Sequence, residues 1–329
     1  MPDPQYRLGT RRSPLALAQA EEVRARLIAA HGLGADAIEL VTVLASGDRV
    51  QDRPLAEIGG KALWTKELDA ALLAGDIHFA VHSAKDVETL RPAEIAIAAV
   101  LPREDVRDVL VLRHFDKLKP EDERNGFSAI AALPKGARLG TSAPRRAAQL
   151  LNLRPDCKVV PFRGNVATRL AKLAAGEADA TLLAAAGLNR LGESTVGQAL
   201  DAGHWLPAPG QGAIAVECRA ALRQAQGDRD VEILALLSAI DHAPSRAGLL
   251  AERALLASLG GNCHSAIGVL TTAAGDMLTM RAALFSPDGA ERVEAEATFA
   301  TGDSSGPAAL AVELLSRASP AITVHFTGP

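Results

Sequence analysis

Aromatic side chains are scarce in this sequence: two Trp, one Tyr and seven Phe among 329 residues, 3% of the chain. Its cores must therefore be filled by Leu, Val, Ile and Ala, and each aromatic residue is worth locating individually. Cysteine is scarce too. Cys157, Cys218 and Cys263 form no metal-ligand spacing and cannot all pair, which excludes a disulfide framework and fits a reducing compartment, the cytoplasm. No apolar run is long enough to cross a membrane. The opening Met1-Pro2-Asp3-Pro4-Gln5 lacks the basic patch and apolar stretch of a signal peptide. With a net charge of −4 and no basic tail, a nucleic-acid partner is not expected, since that needs a concentrated cationic surface. Hydrophobic residues at 48% and charged residues at 22% argue against long disordered or coiled-coil regions.

The length admits two or three domains. Tyr6 to Gly9 reads as a strand, Ser13-Pro14 as a helix N-terminus, Ile38 to Leu44 as a buried strand, and Ile77, Phe79 and Val81 as a further strand that runs into His82-Ser83-Ala84-Lys85-Asp86. This plan recurs. Arg138-Leu139-Gly140-Thr141 copies Arg7-Leu8-Gly9-Thr10, and Arg163-Gly164-Asn165 stands where Gly59-Gly60-Lys61 stood. Two similar α/β lobes follow, with their strand-end loops around one cleft, as open α/β sheets place their ligands. After Pro209-Gly210-Gln211-Gly212 and a polar linker, helices from about Val231 to Ile240 and Pro244 to Leu259 precede Gly260-Gly261-Asn262-Cys263. Strand-like runs and a helix near Ala308 to Ser316 complete a small α+β domain. The charged stretch Arg113 to Leu133 reads as an exposed loop.

Cationic residues gather on the loops: Arg11, Arg12, Lys61, Lys85, Arg145, Arg146, Arg163, Arg169 and Arg190. Singly, each is equally a solvated surface residue. Together they suit a small molecule with several carboxylates, because guanidinium groups bind carboxylates through paired hydrogen bonds and the helix starts at Ser13 and Ser142 add free N–H donors. Asp86, at a strand end, can offset a developing positive charge or exchange a proton with an amine, although it also reads as a cap or a partner of Lys85. Cys263 follows a flexible turn that can present a thiol, whereas Cys218, on a strand, reads as a small buried hydrophobe. His82 has no carboxylate or Ser partner at a spacing that would make a hydrolase triad.

Thr10-Arg11-Arg12-Ser13-Pro14-Leu15-Ala16-Leu17, His82-Ser83-Ala84-Lys85-Asp86-Val87, Gly140-Thr141-Ser142, Arg145-Arg146, Arg163-Gly164-Asn165, Gly210-Gln211-Gly212 and Cys263 jointly resemble the porphobilinogen deaminase family, collinearly over nearly the whole chain. The resemblance implies α/β lobes like those of periplasmic binding proteins, formed by 1–102 plus about 206–224 and by 103–205, and an α+β domain over 228–329 that carries the anchoring cysteine. It implies a monomeric transferase of porphyrin and heme biosynthesis that condenses four porphobilinogen units into hydroxymethylbilane, each losing ammonia. The primer is a dipyrromethane cofactor thioether-linked to Cys263. By the same resemblance Asp86 is catalytic; Ser13, Lys85, Thr141, Ser142, Arg145 and Arg146 hold cofactor carboxylates; Arg11, Lys61, Arg163, Arg169 and Arg190 hold those of substrate and growing chain. No metal is implied.

Glu57, Trp64, Ala143 and Asn262 depart from the family pattern, where a lysine, a phenylalanine, a serine and a glycine are usual, and Arg113 to Leu133 reads as an insertion. Two other functions fit parts of the sequence. A non-catalytic two-lobed binding module leaves Cys263 and the third domain unexplained. A cysteine-dependent acyl transferase needs a base at the thiol, for which only the adjacent His264 offers itself.

Overall fold

A computed structural model describes residues 4–44, 65–113, 126–220, 228–262 and 264–326. They form two compact units, and the chain passes from the first to the second after Glu104 and returns at Ala213.

The first unit is built on β1 (Tyr6–Arg11), β2 (Ile38–Val43), β3 (Phe79–Ser83), β4 (Ile95–Val100) and β10 (Ile214–Arg219), numbered in chain order. The sheet order is β2-β1-β3-β10-β4, with β1 parallel to β2 and β3, and β10 antiparallel to β3 and β4. Helix Pro14–His31 begins where the Ser13 side chain accepts the Ala16 N–H and stops at left-handed Gly32, burying Ala20, Val23 and Leu27 at helical spacing. These side chains join Leu8, Phe79, Ile214 and Val216 in one core.

The second unit contains a sheet of β5 (Asp108–Leu112), β6 (Arg138–Gly140), β7 (Lys158–Val160), β8 (Ala180–Ala184) and β9 (Gln198–Ala199), in the order β7-β6-β8-β5-β9. Here β6 is parallel to β7 and β8, and β5 is antiparallel to β8 and β9, the same pattern as in the first lobe. The repeat extends to individual atoms. Arg7 Nη2 donates to the Gly75 carbonyl at 2.7 Å and Arg138 Nη2 to the Gly176 carbonyl at 3.1 Å, and both glycines adopt positive φ. Each lobe thus ties the strand that carries its Arg-Leu-Gly-Thr repeat to the turn that follows helix Lys66–Ala74 or helix Val166–Ala174.

The same unit holds a three-stranded antiparallel meander, β11 (Ile267–Ala274), β12 (Met277–Phe285) and β13 (Arg292–Ala300), covered by helices Ala243–Leu259 and Ser305–Arg317. Ala148 and Leu206 of the second lobe pack on Ala283 and Phe285 of this domain. The scarce aromatics are spent on core positions: Trp205, Phe79, Phe162 and Phe285 are all fully buried.

Two sequence expectations are revised. Helix Asp228–Ser238 does not belong to the third domain, because Ile233, Leu236, Leu237 and Ile240 complete the first lobe's core. The stretch from Arg113 to Leu133 is not an exposed loop throughout: Gly126–Ala131 is helical and buries Ala129 and Ile130, with Leu133 buried behind it. Residues 114–125 lie outside the described residues.

Candidate functional site

In the first lobe the site residues follow strand ends. β1 finishes at Arg11, half-buried, and Ser13 caps the next helix, its Oγ accepting the Ala16 N–H at 3.3 Å so that the hydroxyl hydrogen is what it can offer outward. β3 ends in a single 3₁₀ turn, Ala84–Asp86, which carries Lys85 and Asp86, both half-buried. This turn is fixed on its near side, where Ala84 N donates to the Ala213 carbonyl at 3.0 Å and Ser83 stands in register with Ile214 of β10.

His82, just before the turn, is 5% exposed. Burial, and after it the Arg91 charge, bring its pKa down to about 4, and the charges of Arg11 and Asp86 reach it in opposite senses. The ring is therefore neutral at ordinary pH. Its Nε2 lies 3.3 Å from Glu217 Oε2 yet makes no hydrogen bond, and Glu217 is already held by two Arg91 nitrogens. We therefore read this pair as a contact, not as a charged dyad or a catalytic base.

In the second lobe Thr141 is buried after β6, its N–H donating to the Val160 carbonyl at 2.9 Å and its Oγ1 accepting the Ala143 N–H at 3.2 Å. Helix Pro144–Leu153 starts at Ala143 without a side-chain cap and with Arg145 and Arg146 in its first turn. Cations at a helix N-terminus oppose the dipole and the unpaired N–H groups, so this start calls for anions. Asp108, with no exposed surface, is one: Arg146 Nη2 donates to Oδ1 at 2.7 Å and Arg145 Nη1 lies 2.8 Å from Oδ2. Burial alone would raise the Asp108 carboxyl; the two arginine charges outweigh it and hold it far below the usual carboxylate range.

The two arginines then diverge. Arg146 directs Nε and Nη2 to Asp108 and Nη1 to the Leu182 carbonyl, so its donors are engaged within the lobe. Arg145 gives Nη1 to the Leu206 carbonyl and Asp108. Among the described residues its buried Nε has no hydrogen-bond partner, and neither has the buried Ser142 Oγ. Two buried donors without a partner beside an uncapped helix start are groups that an anion could satisfy.

Arg163 and Arg169 flank the next helix start. Gly164 has φ +106 and Asn165 caps Val166–Ala174, while Arg169 Nε donates to the Gly164 carbonyl at 2.9 Å. Arg190 ends the helix after β8, and its Nη2 donates to the Gly212 carbonyl at 3.1 Å. The structure thus puts Arg11, Ser13, Lys85 and Asp86 in one unit and Thr141, Ser142, Arg145, Arg146, Arg163, Arg169 and Arg190 in the other.

Lys61 and Cys263, like Glu57 and Trp64, lie outside the described residues. The flanks of Cys263 are described. Helix Ala243–Leu259 closes through Gly260, at φ +64, with the Gly261 N–H donating to the Leu256 carbonyl at 2.8 Å. Asn262 N donates to Ser265 Oγ at 3.0 Å and Asn262 Oδ1 accepts the His264 N–H at 2.8 Å, so the residue that departs from the family pattern supplies a side-chain turn of its own.

The sequence reading missed Asp108, Trp205 and the Arg91 cluster. An Asp opening the otherwise apolar strand Asp108–Leu112 was the available signal for the first. Among the described residues no group of three or more His, Cys, Asp or Glu is gathered to hold a metal ion, and no helix is long and apolar enough to cross a membrane.

Residues 6–227 match the family model described as porphobilinogen deaminase, dipyromethane cofactor binding domain, and residues 247–318 match porphobilinogen deaminase, C-terminal domain. The chain is 54% identical to the porphobilinogen deaminase of Sphingopyxis alaskensis, over 99% of this chain and 98% of that one. It is 48% identical to that of Paracoccus denitrificans, over 97% and 96%, and 46% identical to that of Nitrobacter winogradskyi, over 98% and 96%.

Proposed function

Because the chain belongs to the porphobilinogen deaminase family, we propose that Asp86 is its catalytic carboxylate and that the cationic loop residues hold the acetate and propionate groups of its cofactor and substrate. The enzyme is a transferase of tetrapyrrole biosynthesis that condenses four porphobilinogen units, with loss of ammonia, into hydroxymethylbilane. When bound, the dipyrromethane supplies the nucleophilic pyrrole carbon on which the chain grows.

The observation that carries this reading is the start of helix Pro144–Leu153, where Ser142 Oγ and Arg145 Nε are buried donors without a partner among the described residues. A carboxylate there satisfies both, together with the helix N–H groups. Thr141 and Arg146 act behind it, Arg146 by sharing Asp108 with Arg145. Ser13 and Lys85 take further cofactor carboxylates, and Arg11, Lys61, Arg163, Arg169 and Arg190 take those of substrate and growing chain. Asp86 offsets the positive charge that develops as ammonia leaves, and accepts hydrogen bonds from pyrrole N–H groups. Cys263 is the anchor. We place the enzyme in the cytoplasm as a monomer.

The deciding experiment is the intact mass of the purified chain under denaturing conditions, beside Cys263→Ser. An adduct of two condensed porphobilinogen units that vanishes in the variant is the expected result. An unmodified mass that stays unmodified after incubation with porphobilinogen would favour a binding module and remove Cys263 from the site.

A further inference from the structure

We propose that Arg91 is a positioning residue for the reaction, holding the turn that carries Lys85 and Asp86 through the carboxylates of Glu88, Asp69 and Glu217. This rests on the reading of Asp86 as the catalytic carboxylate.

The Arg91 side chain is 8% exposed and turns back toward the segment it follows. Its Nη1 donates to Glu88 Oε2 at 2.9 Å, two residues past Asp86, and Thr65 Oγ1 donates to the same oxygen at 2.7 Å. Paired donors reach Asp69 in helix Lys66–Ala74, at 2.6 and 3.0 Å, and Glu217 on β10, at 2.8 and 2.9 Å. Glu217 stands in register with Ala80 of β3, the strand that leads into the Asp86 turn. The turn is therefore fastened on both sides: upstream by the Ala84 N–H to the carbonyl of Ala213, which immediately precedes β10, and downstream through Arg91 to Glu217 on β10.

Stability alone is a poor reason for this cluster. Removing several charges from water costs about as much as their attraction returns, and well-packed apolar side chains would hold the three elements as firmly. What apolar packing does not give is one fixed geometry. Two forked guanidinium–carboxylate pairs fix direction as well as distance. A carboxylate that must meet developing charge needs that, because a displacement of about 1 Å can cost on the order of a hundredfold in rate.

The test uses the cofactor-loaded enzyme with Glu88→Gln and Arg91→Lys, each alone and combined with Asp86→Asn. Glu88 is 24% exposed, so Glu88→Gln keeps the fold even where the arginine variant does not. Expected is a loss in kcat of about ten- to a hundredfold, with KM and the cofactor adduct mass unchanged, and no further loss in the Asp86→Asn background. A kcat for Glu88→Gln within about twofold of the parent overturns the proposal, as does a full additional loss on top of Asp86→Asn, which a merely structural role would produce. Near-normal turnover by Asp86→Asn is a different result: it removes Asp86 itself, and the positioning role with it.

Discussion

Trp205 Nε1 donates to Asp108 Oδ2 at 2.8 Å across 97 residues of sequence, which puts an indole on the same carboxylate that the helix-start arginines Arg145 and Arg146 share. Gln211 Nε2 reaches Oδ1 of that carboxylate at 2.9 Å and the Val106 carbonyl at 2.7 Å. One buried anion thus organises the cationic end of helix Pro144–Leu153.

Asp108→Asn keeps the shape and removes the charge, leaving two buried guanidinium groups without their counterion. The expected cost is about 3 to 5 kcal/mol, the range for breaking a buried pair from one side. Urea denaturation at neutral pH checks it, and the cofactor adduct should be retained less completely. A loss under about 1 kcal/mol would mean that the arginines are held by their carbonyl partners instead.

Mild acid should weaken the first lobe before carboxylate protonation begins. The folded pKa of His82, about 4, lies below its ordinary 6.5, so between those values the unfolded chain carries the extra proton and stability falls as pH falls. The limiting slope is about 1.4 kcal/mol per pH unit for one such group. His78, lowered to about 4 by its burial and then by Arg229 and Arg7, acts in the same sense. Denaturation midpoints between pH 4 and 7 should show a shallower fall in His82→Gln, not a flat line. Asp108, depressed in pKa, contributes above the ordinary carboxylate range and loses that contribution only below it.

Gly9 and Gly140 occupy equivalent strands, but methyl groups at the two sites meet different obstacles. At Gly140 a Cβ would lie 2.4 to 2.6 Å from the Phe162 ring; at Gly9 it would meet chiefly the Cδ1 tip of Ile77, at 2.3 Å. A side-chain tip can swing away, and a ring packed in a core cannot. Gly140→Ala should therefore destabilise by about 1 to 3 kcal/mol and Gly9→Ala by less. Because Arg163 adjoins Phe162, KM should rise in the first variant. Equal effects in denaturation and kinetics would contradict the steric argument.

Thiol labelling should separate the three cysteines. Burial, and then Asp230, pushes the Cys218 thiol up to about 12, and burial raises Cys157 as well. In folded Cys263→Ser neither should react with an aromatic disulfide reagent at pH 8, and both should react after unfolding. Rapid labelling of the folded variant would show that one of these sites opens.

Much of this was legible in the sequence, for reasons that also mark where legibility ends. Local signals identified the strand-end turns, because Ser13-Pro14 and the repeated Arg-Leu-Gly-Thr each act within a few residues. The charged loop set was visible as composition. The destinations of those charges were not. Nothing near Arg146 announces that it turns inward to Asp108, and nothing near Glu217 that it belongs with Arg91, because partners separated by 38 and 126 residues leave no periodic trace. The same blindness misplaced helix Asp228–Ser238, whose packing partners lie in the first lobe's core.

The position of β10 between β3 and β4 has a consequence for synthesis on the ribosome. All five strands of the second lobe's sheet have been made by Ala199, whereas the first lobe lacks an interior strand until Arg219. At roughly 5 to 20 residues per second, the facing edges of β3 and β4 then wait on the order of ten seconds for their partner. The lobe translated first is the later to close its sheet, and nascent chains stalled between β9 and β10 should engage holdase chaperones through those open edges.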